Sequence, residues 1–258
     1  TDNDGDKENA ATGGTNVQQQ QQQQPGLTAE DAARAMELQM RQRYYRDAMH
    51  FVRQIQGAIP TLCDILGSTN KQEVIEAMNF FVVAARYRID GAWAGIRRMS
   101  HLIWQTTTNN ANEESKGVRS KLIDTYYQLY LTPDPRITDQ ENTNHIARNL
   151  ITLTFNATLA ELTSLEELLR IMMIEDYISN NVIRKLRSVY GYTKKNIPGP
   201  QRRGAILVLS MLAKAQPTVV TDDIDLYLRV GLGPHGHEDL LLAKYTCQAL
   251  QSLVGGSN

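Results

Sequence analysis

The residues that could bind a metal ion are few, and their spacing is poor for that purpose. His235 and His237 are the only closely paired histidines, and they flank Gly236 in a Gly/Pro-rich stretch. A His-Glu-x-x-His pattern, which places two imidazoles on one face of a helix, is absent from the sequence. Alternate residues of a loop seldom converge on one ion. We therefore predict a loop turn at His235–His237 and no metal site.

Nucleotide binding and nucleophilic catalysis have equally little support. Gly199 and Gly204 have the spacing of a phosphate-binding loop, but Ala205 occupies the place of the required lysine and no apolar strand precedes it. The two cysteines, Cys63 and Cys247, lie far apart in apolar helical patterns, which predicts buried free thiols in a reducing compartment. We predict no catalytic, cofactor-binding or metal residue and a non-enzymatic function.

A segment without carboxylates is the most informative chemical feature. No Asp or Glu occurs between Asp176 and Asp222, in a chain whose net charge is −1. Eight basic residues lie there: Arg184, Lys185, Arg187, Lys194, Lys195, Arg202, Arg203 and Lys214. A solvated helix face normally mixes both signs. Such a stripe is nevertheless often only the wet face of an amphipathic helix, and that interpretation stays open.

Helical spacing tells which of these cations share a face. From Asn181 to about Lys195 the apolar positions Val182, Leu186 and Val189, with Thr193, fall on one side of a predicted helix. Arg184, Arg187, Lys194 and Lys195 cluster opposite them. The candidate DNA-binding residues are Arg184, Lys185, Arg187, Lys194, Lys195, Arg202 and Arg203. They would contact duplex phosphates without sequence preference.

The clearest structural signal lies between residues 71 and 105, where one helical spacing occurs twice. Val74, Met78, Phe81 and Ala85 form the first apolar stripe, and after a turn at Ile89–Gly91 the same intervals recur. The second stripe consists of Ala92, Ile96, Met99 and Ile103. Such a hairpin needs neighbours on either side to bury both stripes, which predicts a helical solenoid.

Further helices are predicted along the rest of the chain, about eleven in all, with no strand. The first begins at Thr28 and ends near Gly57, and a short one starts at Pro60. Later helices are expected over 113–131, from Asp139 toward Thr158, over 164–174 and 181–195, over 204–215 and 219–230, and from Asp239 to Leu253. The longest apolar runs fall far below the ~18 residues of a membrane span, so we predict no membrane association.

Two regions are predicted from composition. Residues 1–27 contain four acidic residues and seven consecutive glutamines, Gln18–Gln24, and we predict them to be disordered. Residues 28–258 are predicted to form one continuous helical array, a fragment of a longer solenoid, because no secretory signal, initiator methionine or capping repeat is recognisable.

The wording of several helices resembles a known family. EVIEAMNFF with IRRMSHLIWQ, VRSKLIDTYYQLYL, and RRGAILVLSMLAKAQPTVV with IDLYLRVGL are similar to the central HEAT-repeat region of the condensin subunit 1 family. Members of that family are the larger type of non-SMC HEAT-repeat subunit in eukaryotic condensin. The order of these segments between residues 45 and 253 also matches, whereas the first 27 residues do not.

The resemblance implies an all-α HEAT-repeat α-solenoid in a nuclear, chromosome-associated scaffold that is cytoplasmic for part of the cell cycle. It implies binding to a kleisin subunit, contact with SMC ATPase heads and engagement of DNA during mitotic chromosome condensation. No short motif carries a kleisin contact onto a numbered residue here. The alternative is a HEAT or armadillo transport or phosphatase scaffold that binds peptide segments, and a helical enzyme domain is the third possibility.

Overall fold

The computed structural model describes residues 28–104, 113–192 and 196–254. Within these ranges the chain is helical and contains no strand, which confirms the predicted all-α class. The helices are α1 (Ala29–Ile65), α2 (Lys71–Arg86), α3 (Ala92–Met99), α4 (Glu113–Tyr126), α5 (Asp139–Leu153), α6 (Leu159–Ile174), α7 (Asn180–Tyr190), α8 (Gly199–Ala213), α9 (Thr218–Thr221), α10 (Ile224–Gly231), α11 (Pro234–Glu238) and α12 (Leu240–Gln251). The segment predicted to be disordered, 1–27, lies outside the described residues.

The chain divides into two compact units after Phe51. In the first unit, the described residues belong to the start of α1. Thr28 caps this helix as predicted, because its hydroxyl oxygen accepts the Asp31 backbone N–H at 3.2 Å. Large apolar side chains such as Met36 and Tyr44 are exposed here.

Pro60 does not interrupt α1, so the predicted break between Gly57 and Pro60 is wrong. The helix continues to Ile65 with Pro60 in its interior. A proline removes only its own backbone hydrogen bond and strains the preceding turn. The neighbouring Ile59 is buried in the core of the second unit, and this packing holds the helical path through the proline.

The predicted hairpin forms α2 and α3 of the second unit. Every position of both predicted stripes is buried, from Val74 to Ile103. Gly91 makes the turn with a φ of 86°, a left-handed conformation that suits glycine. Gly95 lies directly against the Phe81 ring, where an added Cβ would fall 2.1 Å from a ring carbon. The last turn, Ser100–Trp104, is a 3₁₀ helix.

Helix α4 ends in a π-helical turn, Tyr127–Leu131, closed by the Thr132 N–H donating to the Tyr127 carbonyl at 3.0 Å. The extra residue per turn shifts the buried stripe. Val118, Leu122 and Tyr126 are buried as predicted, but the next buried position is Leu131, and Leu129 is only half-buried.

Two capping boxes set the limits of α5 and α6. Thr138 with Glu141 begins α5, and Thr158 with Glu161 begins α6. The predictions that the first helix reaches Thr158 and the second starts at Ser164 are therefore wrong. The connecting turn contains Asn156 with a positive φ of 53°.

Helix α8 is the centre of the second unit. It packs against α5, α6, α7 and α12, and nearly all of its residues from Arg202 to Ala213 are buried. Gly204 allows close contact with α5, because an added Cβ would lie 2.8 Å from the Ile151 side chain.

Three predictions near the end of the chain need correction. The helix predicted over 219–230 is two helices, because Asp222 and Asp223 separate α9 from α10. His235 and His237 lie in the short helix α11 and not in a loop. Cys63 is half-buried and Cys247 is exposed, so the prediction that both are buried is wrong, although both are free thiols. Cys247 follows the buried Thr246 on α12 and lies about 100° further around the helix axis, on its exposed surface.

Candidate protein and nucleic-acid interface

Helix α7 carries the first three residues of the basic segment. Its apolar side follows the predicted spacing: Val182 and Leu186 are buried and Val189 is half-buried, with Ile183 and Tyr190 added to the core. The helix ends at Tyr190, five residues before the predicted end. Lys194 and Lys195 lie outside the described residues.

Arg187 faces a neighbouring helix and not solvent. Its guanidinium donates to the Val219 carbonyl at 2.9 and 3.2 Å and to the Thr218 carbonyl at 3.1 Å. It also lies 3.5 Å from the Asp222 carboxylate, and its side chain is only 14% exposed. Arg187 therefore ties α7 to α9.

Arg202 is buried within the fold, with 2% of its surface exposed. It donates to the Ile197 carbonyl at 3.2 Å and to the Val189 carbonyl at 3.1 Å. Its guanidinium carbon lies 3.8 Å from the centroid of the Tyr192 ring, a cation–π contact. Burial lowers the pKa of Arg202, and the electrostatic effect of Tyr192 opposes this shift. Arg202 therefore links the start of α8 to Val189 on α7 and to Ile197.

Arg203 on α8 and Lys214, the residue that follows the helix, form ion pairs with carboxylates distant in sequence. The Arg203 Nε lies 2.6 Å from Asp239 Oδ2, and Lys214 pairs with Glu166 on α6. Asp239 also caps α12, since its Oδ1 accepts the Leu242 N–H at 3.2 Å. The carboxylate-free segment is thus partly neutralised by acidic residues from other parts of the chain.

Arg184 and Lys185 differ from these three arginines in their surroundings. Arg184 is exposed and donates to Asn181 within its own helix. It lines a cavity of about 340 Å³ together with Arg187 and Asp222. Lys185 is half-buried and faces a different cavity, between α5, α7 and α8. The structure therefore brings Arg184 and Arg187 together and places Lys185, Arg202 and Arg203 elsewhere.

Two cavities flank Phe155 and were not predicted from the sequence. One, of about 300 Å³, contains Arg148, Lys185 and Val189. The other, of about 530 Å³, contains Arg203, Leu241 and Tyr245. Phe155 lines both of them. We name the pair the Phe155 groove. Arg148 could not be linked to Lys185 by spacing, because the two lie on different helices.

The buried tyrosine hydroxyls serve packing and not proton transfer. Tyr126 donates to the Ile96 carbonyl at 2.7 Å, and Tyr227 donates to the Val219 carbonyl at 2.9 Å. Burial raises the pKa of Tyr227 to about 12 and that of Tyr126 still further. Both therefore stay protonated at neutral pH and act as hydrogen-bond donors.

Neither metal binding nor membrane insertion has support within the described ranges. The described residues contain no group of three or more His, Cys, Asp or Glu side chains able to hold a metal ion. No described helix is both long and apolar enough to cross a bilayer. His235 instead stacks on Tyr192, with ring centroids 3.7 Å apart.

Comparison with known proteins gives several relatives that share one name. The chain is 40% identical to "Condensin complex subunit 1" of Schizosaccharomyces pombe over 222 residues, or 86% of this chain and 19% of the relative. It is 33% identical to the Saccharomyces cerevisiae protein of that name over 88% of this chain and 20% of the relative. The Homo sapiens protein is 28% identical over 81% of this chain and 14% of its own length.

The chain therefore spans about a fifth of the length of the two yeast relatives. No protein-family model matches it. Among solved structures, an engineered protein aligns over 80% of this chain and 85% of its own, with 13% identity and a TM-score of 0.29. That score is too low to support any structural conclusion.

Proposed function

Because the chain belongs to the condensin complex subunit 1 family over most of its length, we propose that it is part of a non-enzymatic scaffold subunit of condensin. The similarity to the yeast relatives carries the proposal. The helical array supports it, since stacked helix pairs present extended surfaces for binding macromolecules. The buried polar groups described above form hydrogen bonds that join helices, which fits a scaffold better than a catalytic centre.

In this role the helical array binds a segment of the kleisin subunit and contributes to engagement of the SMC ATPase heads. The protein acts on chromosomes in the nucleus during mitotic condensation and is cytoplasmic for part of the cell cycle. The similarity to the two yeast relatives covers 86% and 88% of this chain. A transport or phosphatase scaffold is the competing assignment.

Weak contact with duplex DNA is a second proposed function, favoured by the carboxylate-free segment. Arg184 is the exposed cation of α7, and Lys185 follows it. Lys194 and Lys195 add two charges a few residues later in the sequence. Arg187, Arg202 and Arg203 have partners inside the fold, so they contribute less to phosphate binding than the sequence pattern suggested.

Affinity capture tests the scaffold function. The whole 258-residue chain, immobilised and incubated with nuclear extract from mitotic cells, should recover kleisin and SMC subunits, identified by mass spectrometry. The matched controls are Met99→Asp, which places a carboxylate in the core, and Arg98→Asp on the exposed side of the same helix. Capture should be lost only with Met99→Asp. Recovery of transport cargo or phosphatase subunits in place of condensin subunits would refute the assignment.

A further inference from the structure

The Phe155 groove lies where the end of α5 crosses the start of α8. Its two cavities, of about 300 and 530 Å³, are each large enough for an aromatic or branched apolar side chain. Their walls carry apolar side chains that are not fully buried. Leu241 is 45% exposed, and Phe155 and Tyr245 are half-buried. The groove therefore offers apolar surface on both sides of one ring.

The charge of the groove has a single sign among the described residues that line it. Arg148, Lys185 and Arg203 are present, and neither lining contains a carboxylate. Arg203 is paired with Asp239, whereas Arg148 is exposed and is within ion-pair distance of no carboxylate in the described chain. The first turn of α8 adds Pro200 and Gln201 at the positive end of a helix dipole.

The walls of the groove are held in place by side chains outside it. Arg97 on α3 donates to the Phe155 carbonyl at 3.0 Å and to the Asn156 carbonyl at 3.1 Å, which fixes the turn that carries Phe155. On the opposite wall, Asp239 links Arg203 to the start of α12. A site that is already ordered loses less conformational entropy when a ligand binds.

We propose that the Phe155 groove is a docking site for an acidic protein segment. Large apolar side chains of that segment occupy the cavities on either side of Phe155, and its Asp or Glu residues approach Arg148 and Lys185. Charge complementarity selects this occupant, since the described residues that line the groove include cations and no anions. The inference rests on the proposed scaffold function, because it takes a protein segment as the natural occupant.

Duplex DNA fits the same surface less well. DNA phosphates could contact Arg148 and Lys185, but no part of the DNA backbone would pack against the apolar side chains of Leu241 and Tyr245. Backbone contacts to DNA use exposed cations and polar groups. An extended peptide can use both the cations and the apolar surface.

Selection from a displayed library of random peptides, each about 12 residues long, tests the proposal on the whole chain. Enriched peptides should combine Asp or Glu with Phe, Leu or Trp. Synthesised with a fluorescent label, they should bind about tenfold more weakly to Arg148→Glu and to Leu241→Ser, as fluorescence polarisation would measure. Both positions are exposed, so both variants keep the fold. Arg229→Glu, at an exposed cation of α10 outside the groove, is the matched control and should bind normally.

Several results would overturn the proposal. These are no enrichment over an uncoated surface, binding of the selected peptides to both groove variants as tight as to the unsubstituted chain, and tight binding of a duplex of about 20 base pairs that Arg148→Glu and Leu241→Ser both abolish. Loss of peptide binding in both variants supports the docking site whether or not the capture experiment recovers condensin subunits. The two proposals can therefore fail separately.

Discussion

At the residue scale, the fate of a basic side chain depends on what lies within reach of its guanidinium. Arg184 and Arg187 are one turn apart on α7, yet Arg184 is exposed and Arg187 is only 14% exposed. The sequence showed both as cations on the polar side of the helix. It could not show that the carbonyls of Thr218 and Val219, more than 30 residues later, accept from Arg187.

This difference predicts that the same substitution changes the free energy of unfolding much more at Arg187 than at Arg184. Arg187→Glu removes donors from two carbonyls and places a second carboxylate beside Asp222, so it should destabilise the protein by about 2–4 kcal/mol. Arg184→Glu should change the free energy of unfolding by less than about 0.5 kcal/mol. Urea denaturation followed by circular dichroism measures both. Equal stability of the two variants would mean that Arg187 has no anchoring role.

Met99 and Arg98 provide a second pair of neighbours with contrasting environments. Met99 has no exposed surface, so an aspartate there would be an unpaired buried charge costing several kcal/mol. Arg98 is 54% exposed and lies 3.4 Å from Asp64, and exposed ion pairs contribute about 0–1 kcal/mol. Met99→Asp should therefore unfold the hairpin and Arg98→Asp should not, as limited proteolysis would show. Similar resistance to protease would contradict the assignment of the buried stripe.

At the element scale, periodicity predicted helices well and predicted their ends poorly. Both stripes of the α2–α3 hairpin are buried because spacing of 3.6 residues fixes which side chains share a face. The limits of α5 and α6 depend on Thr138 and Thr158, each followed three residues later by glutamate. The start of α5 at Asp139 was predicted, whereas the capping signal at Thr158 was present in the sequence and was missed. The π-helical turn after α4 left no comparable signal.

The capping boxes predict a pH dependence of stability. Hydrogen bonds from the Thr138 and Thr158 backbones lower the pKa of Glu141 and Glu161 below the ordinary value of 4.5. A lowered folded-state pKa contributes stability above the unfolded pKa, and this stability is lost as the pH falls through the folded value. Thermal melts should show a drop below about pH 5, and Glu141→Gln with Glu161→Gln should make it shallower. An unchanged pH profile in the double variant would show that these two carboxylates are not the cause of the loss of stability at low pH.

Close helix packing in the hairpin depends on Gly95. Its missing side chain makes room for the Phe81 ring, so Gly95→Ala should destabilise by about 1–3 kcal/mol through overpacking. Gly117, inside α4, has no atom within 4 Å of an added Cβ, so Gly117→Ala should stabilise by up to about 1 kcal/mol. Differential scanning calorimetry should give melting temperatures that move in opposite directions. A rise for Gly95→Ala would show that Phe81 can move aside at little cost.

At the scale of the whole molecule, the fold class followed from the sequence more readily than the candidate interface. The all-α class was confirmed because amphipathic stripes recur along the chain. The basic segment could also be recognised in the sequence. How much of its charge is free of ion pairs could not, because Asp222, Asp239 and Glu166 pair with its cations from other parts of the chain. The Phe155 groove joins residues of several helices and has no signature in any single segment. The boundary between residues 1–27 and the predicted array stays a prediction.

DNA binding by this segment remains a prediction at the same scale. With Arg187 bound to α9, about three phosphate contacts, from Arg184, Lys194 and Lys195, predict a log–log salt slope near −2.7 and a Kd of roughly 10⁻⁴ to 10⁻⁶ M at physiological salt. Electrophoretic mobility shift with duplexes of different sequence would measure both. Replacing all three residues with glutamate should abolish binding with an unchanged melting temperature. Binding that is insensitive to salt would contradict phosphate contacts, and the segment would then be interpreted as a solvated helix face or as a binding site for a protein segment.

The burial of α8 from Gly204 to Ala213 has a consequence for how the second unit opens. In a simple row of repeats, each pair can fray independently of distant ones. Here α5, α6, α7 and α12 all pack on one helix, so none of these contacts can be lost without exposing the apolar residues from Ala205 to Ala213. The backbone amides of α8 should therefore exchange with solvent only when the unit unfolds as a whole, as one cooperative block.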